Sequence, residues 1–379
     1  MNKKILVVAG VFPYPTFHGG TFDIWERIKG LKKLGHDIDL LYTDKKVTNI
    51  EDLNFVKSHV KDTFKVNRTN RIMQLFNKNP LQVISRKGLK KVKLEKKYDV
   101  VILETEYVGS ILENPTLKGD KIIVRIQNNE YVYFKNLAKS TLNIFKKFYY
   151  YQESRKFYYY SKSIYKRADR LWFISLNEEE NYKQMYKANN SAHLPSPINS
   201  NFVKRKLDNS NVLFLGSLSM DNNLEGIMWY LNNVHDELCT FFEDYTLFIC
   251  GSTGDIPEEN FIKKFEKYNR IKIFFNLKNL EQIYETTSVF INPMLHGAGV
   301  KLKSINAIVN GLPLVATSIG SEGIGLIDKE MFLLANSAEE FTSSLTKILK
   351  SDKKQEIVKA AQNYLESVNY LKILEMELE

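Results

Sequence analysis

The chain has 379 residues, 44% of them hydrophobic and 12% aromatic, with a formal net charge of +10. That composition excludes a disordered polyelectrolyte and is long enough for two ordinary domains. Cys239 and Cys250 are the only cysteines and form no CxxC, which excludes a disulfide or zinc framework and fits a reducing compartment.

The opening "MNKKILVVAGVFPYP" breaks its apolar run at Pro13 and Pro15 and reads as a buried strand rather than a leader. No apolar run reaches the ~20 residues of a membrane-spanning helix. A cytoplasmic protein is therefore expected. The basic excess lies before residue 206, while the remainder is net acidic. Such asymmetry points one half toward an anionic partner.

In chain order, "KKILVVAG" predicts a strand and "VFPYPTFHGG" a loop. "TFDIWERIKGLKKLG" predicts a helix with Thr21 as N-cap and Gly35 as stop. "HDIDLLYT" follows as a second strand, completing a βαβ unit with a right-handed crossover. Further strand-like runs fall at 98–104, 121–126 and 170–175. Residues 193–211, polar and proline-bearing, read as a linker. A second alternating series then has strands at 211–217, 245–251, 270–275, 288–294 and 312–318. Residues 353–378 have a helical pattern. Two doubly wound α/β domains are expected, joined near 195–210.

The stretch "HGAGVKLKSINAIVNGLPLVATSIGSEG" (296–323) carries the strongest chemical signal. Gly297 and Gly299 allow close backbone approach to a ligand after a strand end. A helix predicted to start near Val300 supplies N–H groups and a dipole that favour an anion. Lys303, Asn306 and Asn310 share one face, with Leu302, Ile305 and Val309 on the buried one. The constellation suits a diphosphate; a plain β-loop-α unit with a solvated polar stripe reads the same spacing equally well. "SIGSEGIG" (318–325) adds a second glycine loop after the next strand.

These residues resemble the GT-B glycosyltransferases of family 4, the group 1 glycosyl transferases. "INPMLHGAGVKLKSINAIVNGLPLVATSIGSEGI" is similar to that family's donor-site signature. "FLGSLSMDNNLEGIMWYL" is similar to the opening of its second domain, and "VFPYPTFHGGTFDIWERIKGLKKLGHDIDLL" to its N-terminal glycine loop. The resemblance implies two Rossmann-like domains facing across a cleft. It implies an acceptor-binding domain over 1–200, a nucleotide-sugar-binding domain over 201–350, and a helix over 351–379 packing back on the first. It implies transfer from a UDP- or GDP-sugar to a glycan or lipid-linked acceptor in cell-surface polysaccharide synthesis, with retention, without cofactor or metal. Lys301 and Lys303 match the basic positions that meet the diphosphate. Gly19 and Gly20 match the N-terminal loop, and Ser217 and Asn223 match positions at the start of the second domain.

Three departures stand out. Asn306 replaces a glutamate, Ala298 replaces a second acid, and Gln127 replaces a histidine common near the reacting centre. They motivate an alternative, a non-catalytic glycosyltransferase-like partner or chaperone subunit. A nucleotide-sugar epimerase on the same architecture is a third reading.

For proton handling the candidates are His18, Glu130 and His296; Glu322 is a candidate for hydroxyl contacts. Each is also read as an ordinary loop or surface residue. The Asp37-Ile38-Asp39 triplet reads as strand-end polarity rather than a metal site. "FYYYQESRKFYYYSKSIYKR" (148–167) mixes basic and tyrosyl side chains. It suits an anionic membrane surface, at the inner face of the cell membrane, or solvated helices over an aromatic core. No nucleic-acid-binding signature accompanies it.

Overall fold

Continuous apolar runs form most of the strands, as a parallel sheet covered by helices on both faces requires. The computed structural model describes residues 2–16, 19–45, 48–69, 77–141, 143–198, 201–277, 279–297 and 299–379. The chain divides into two units, Met1–Pro197 with Asn369–Glu379, and Ile198–Val368.

The first unit has seven strands: β1 (Lys4–Ala9), β2 (Asp37–Asp44), β3 (Asp62–Asn67), β4 (Lys97–Glu104), β5 (Lys118–Ile126), β6 (Arg170–Phe173) and β7 (Ser191–His193). They run parallel in the order β3-β2-β1-β4-β5-β6-β7. β1 is buried on both faces: Ile5, Val7 and Ala9 join one core, Leu6 and Val8 the other. β3 and β7 were not expected from the sequence. β3 reads "DTFKVN" with a single buried residue, as an edge strand does, and β7 is three residues long.

The first helix runs Gly19–Lys33. Thr21 is therefore not its N-cap but a buried residue inside the first turn. Gly35 does end it, at φ +82°, a left-handed conformation glycine adopts without strain. Behind this helix lies a buried charge cluster. Asp23 pairs with Arg27 and, at 2.9 Å, with Arg125; Arg27 Nε meets Glu104 at 2.6 Å. Arg27 also donates to Tyr370 Oη at 3.1 Å, and Arg125 to the Leu194 carbonyl. Burial works to raise the Asp23 carboxyl, but Arg125 and Arg27 overcome it and hold it below its ordinary value.

The second unit has six strands: β8 (Asn211–Leu215), β9 (Thr246–Gly251), β10 (Ile271–Phe275), β11 (Val289–Asn292), β12 (Leu314–Ala316) and β13 (Leu333–Leu334). They too are parallel, in the order β10-β9-β8-β11-β12-β13. The order reverses between β8 and β11, and β1 and β4 play the same part in the first unit. In such sheets the crevice beyond the strand carboxyl ends at this reversal is the usual ligand position. Both halves are thus the doubly wound α/β sheets expected. The helix expected over the last residues is two, Lys354–Ser367 in the second unit and Tyr370–Leu378 in the first. Asn369 caps the latter through Lys372 N.

Candidate functional site

At the carboxyl edge of the second sheet, the loop after β11 and the turn after β12 are bonded together. Lys301 N donates to the Glu322 carbonyl at 3.3 Å. Asn292 Nδ2 reaches Ser304 Oγ at 2.9 Å and the Gly320 carbonyl at 2.8 Å, and Ser304 Oγ donates to that same carbonyl at 2.8 Å. Gly299 sits at φ +77° and Gly323 at φ +75°; a Cβ on Gly323 would meet Val300 at 2.8 Å. The two glycine loops therefore form one shelf.

The helix from this shelf runs Leu302–Val309, two residues later than the sequence implied, with Lys301 as N-cap. Its apolar face is wider than the expected stripe: Ser304, Ala307 and Ile308 are buried too, while Leu302 is only partly so. The two lysines differ in state. Lys301 is buried and neutralised: its Nζ bonds Glu322 Oε2 at 3.1 Å and the Gly299 carbonyl at 2.5 Å. Lys303 is partly buried, and its Nζ meets a neutral amide, Asn223 Oδ1, at 2.8 Å, and lies 5.2 Å from the Phe214 ring centre. Burial first, and the Lys301 charge second, pull its ammonium down to about 7.

Asn223 is fixed in turn, its Nδ2 donating to the Ser217 carbonyl at 3.0 Å. Ser217, Ser219 and Ser252 form a hydroxyl group at the ends of β8 and β9, with Oγ–Oγ distances of 2.9 Å. Ser217, Asn223, Gly297, Gly299, Lys301, Lys303 and Glu322 thus share one edge. Asn306 is on the same helix but solvent-exposed. His296 is half-exposed, its Nε2 3.6 Å from Glu225.

In the first unit, Gly19 and Gly20 open the Gly19–Lys33 helix; His18 lies outside the described residues. Glu130 starts the helix Glu130–Ser140 and is buried rather than a surface glutamate. Tyr107 Oη donates to its Oε2 at 2.7 Å. Burial pushes its carboxyl up to about 8, with the Tyr107 bond opposing and Glu106 reinforcing the shift. Glu106 is buried as well, takes a 2.8 Å bond from Ser161 Oγ, and is pushed by burial to about 7. Gln127, also partly buried, has its Nε2 without a partner among the described residues. Sequence reading missed Glu106 and Tyr107, although "ETEY" directly after strand "VVIL" was a signal for polar groups at a sheet edge. Asp39 of the Asp-x-Asp triplet is held by Lys96 Nζ and Tyr98 Oη, each at 2.8 Å. Among the described residues no three His, Cys, Asp or Glu side chains converge as a metal-binding group.

The family model "Glycosyl transferases group 1" matches residues 209–351, the span that contains the shelf and its lysines. Over 351 residues the chain is 39% identical to an uncharacterized 44.6 kDa protein in the cps region of Klebsiella pneumoniae, covering 90% of each chain. The chain belongs to the group 1 glycosyl transferases. Solved structures show the fold this family shares. A TarM variant from S. aureus, in complex with fondaparinux, α-GlcNAc-glycerol and UDP, matches at TM-score 0.73 and 11% identity, covering 99% of both chains. HepE from Anabaena in complex with UDP-glucose matches at 0.67 and 11%, covering 100% of this chain and 98% of that one. This group 1 glycosyl transferase therefore has the GT-B type of fold, built on two Rossmann-like sheets.

Proposed function

We propose that this protein transfers a hexosyl group from a UDP- or GDP-sugar to a glycan or lipid-linked acceptor of a cell-surface polysaccharide. Lys303 carries this reading: a cation at a helix start, beside glycine loops at the sheet reversal, with a neutral partner. Its charge meets the donor diphosphate, the helix N–H groups add to it, and leaving-group charge is stabilised as the glycosidic bond breaks. No metal is required by such a step. Retention of configuration follows the family resemblance.

Lys301, neutralised by Glu322, shapes the loop and contributes less. Ser217, Asn223, Gly297 and Gly299 surround the phosphates, and Asn306 and Glu322 lie near ribose or sugar hydroxyls. The carboxyl edge of the first sheet takes the acceptor, with Gly19 and Gly20 at the start of the Gly19–Lys33 helix and His18 preceding them in sequence. Glu130, ionised above about pH 8, takes the proton that the acceptor hydroxyl loses as its oxygen bonds the sugar. His296 lies toward the donor sugar. The cps-region relative supports a place in polysaccharide synthesis.

The reading is tested by incubating the protein with a panel of nucleotide-sugars and measuring free UDP or GDP, with and without cell-derived acceptors. Release with one donor is expected. Binding without release under every condition would instead favour a non-catalytic partner.

The helix Ile144–Tyr165 favours a membrane-facing position for the acceptor unit. Ile144, Phe145 and Phe148 are largely exposed beside Lys146 and Lys147, a pairing suited to an anionic lipid surface. Among the described residues no helix is long and apolar enough to cross a membrane. Co-sedimentation with anionic liposomes at low salt is expected, and Phe145→Ser with Phe148→Ser should reduce it.

A further inference from the structure

The carboxyl edge of the first sheet holds two arginines that form no ion pair among the described residues; Asp44 offsets the burial of Arg68 only in part, and from beyond contact. Arg86, 4% exposed, donates from Nε and Nη2 to the Gly10 carbonyl at 3.0 and 2.8 Å. It also bonds Thr43 Oγ1 at 3.2 Å and the Gln82 carbonyl at 2.6 Å. Arg68, the residue after β3, donates to Gln82 Oε1 at 3.1 Å and Ser85 Oγ at 3.4 Å. Arg86 Nη1 uses the same two oxygens, at 3.0 and 3.4 Å. Two guanidiniums therefore converge on one neutral amide and one hydroxyl.

Like charges brought together and partly desolvated repel unless an anion lies between them. Among the described residues neither arginine forms an ion pair. Arg68 Nε is buried without a partner among the described residues, a donor left open in a polar site. The face of Tyr107, 5.3 Å from Arg86, gives only a partial counter-charge. Burial, and then the charge of Arg68, pull Arg86 down to about 9, as expected of a cation lacking its anion.

We propose that Arg68 and Arg86 bind a phosphoryl group carried by the acceptor. A phosphate monoester brings about −1.5 to −2 charges at neutral pH, which matches two guanidiniums; a carboxylate would leave one unmatched. The planar donors suit phosphate oxygens. Gly10, Arg68 and Tyr107 follow β1, β3 and β4, and Thr43 is the next-to-last residue of β2, so the group would be held across the edge that also carries Glu130. This inference rests on the reading of the first unit as the acceptor side. It narrows the acceptor to phosphorylated molecules.

The test uses the full chain and calorimetric titration of inorganic phosphate, glucose 1-phosphate and octyl phosphate below its micellar concentration. UDP is titrated in parallel. Arg68→Gln should weaken binding of the favoured phosphate by roughly 10- to 100-fold, the loss of a charge-assisted bond, and leave UDP unchanged. Lys303→Ala should do the reverse. Gln82→Glu places a carboxylate where both arginines already donate. It should raise the melting temperature while abolishing phosphate binding, which a merely structural arginine pair would not do.

Preference for octyl phosphate assigns a lipid-borne group, and preference for glucose 1-phosphate a sugar phosphate. Equal binding of all three would assign free phosphate and overturn the acceptor claim. Wild-type phosphate affinity in a folded Arg68→Gln protein, or in Gln82→Glu, would overturn it too. Failure of wild-type protein to bind UDP would strike the donor reading alone.

Discussion

Two sets of buried or half-buried cations behave oppositely in this molecule. Arg27 and Arg125 meet Asp23 and Glu104 in a closed cluster with all four side chains 0–1% exposed. Lys303 meets an amide and an aromatic face. The balanced cluster joins the Gly19–Lys33 helix, β4, β5 and the C-terminal Tyr370, so its work is architectural. The unbalanced lysine costs stability in the free protein, a cost that the diphosphate proposed for this site would remove. On that proposal, charge balance rather than burial alone separates residues that hold the fold from residues that meet a ligand.

The largest expected effect breaks the balanced side. Asp23→Ala strands Arg27 and Arg125 without their shared carboxylate, and removing one partner of a buried ion pair costs about 3–5 kcal/mol. Urea unfolding should show that loss, with UDP affinity of the folded fraction unchanged. An unchanged midpoint would mean that the cluster is not what fixes this unit.

Next comes the unbalanced side. Lys303→Ala should weaken UDP or GDP by roughly 10- to 100-fold, since a charged hydrogen bond contributes about 1.5–3 kcal/mol. Lys301→Ala should cost less, because Glu322 already holds that ammonium. Calorimetric titration of the two folded variants checks the order, and an inverted order would move the diphosphate to Lys301.

The comparison sharpens with pH. Lys303 titrates near 7 in the folded chain against an ordinary 10.5. Between those values the unfolded chain binds more protons, so this lysine's destabilising effect is full below about 7 and fades as pH rises toward 10.5. Lys303→Met should therefore melt higher than the wild type at pH 6, with the gap closing by pH 10. UDP binding above pH 7 should take up a proton, seen as a buffer-dependent binding enthalpy.

Glu130 shifts the other way, to about 8 from 4.5. The folded state holds its proton longer than the unfolded chain, so stability falls as pH rises from about 4.5 to 8. Glu130→Gln should remove that slope and, if the proton is used in transfer, abolish the kinetic limb near pH 8. The smallest effect is Asn306→Ala, an exposed neutral side chain, expected to change UDP affinity by a few-fold at most.

Legibility in the sequence followed contiguity. Val7, Val8 and Ile291 lie in apolar runs that announce strands. Gly297, Gly299, Lys301 and Lys303 lie within seven residues, so spacing alone placed them on one loop and helix start. β13 is two residues long and β3 nearly apolar-free on its exposed side, so neither had a pattern to find. Glu130 was visible as a residue but not as a buried acid, because Tyr107 and Glu106 come from a separate strand end.

By itself the sequence determined the strand–helix alternation, the parallel sheets, the glycine loops and the family, because these depend on local backbone preferences and short-range periodicity. Tertiary structure decided the ionic state of each charged group. Lys301 and Lys303 are two residues apart and chemically identical, yet Glu322 folds back onto one and Asn223 onto the other. Arg68 and Arg86, distant in sequence, converge on Gln82 Oε1. Electrostatic energy depends on distance and burial, which are set by packing among distant segments and have no short-range signature.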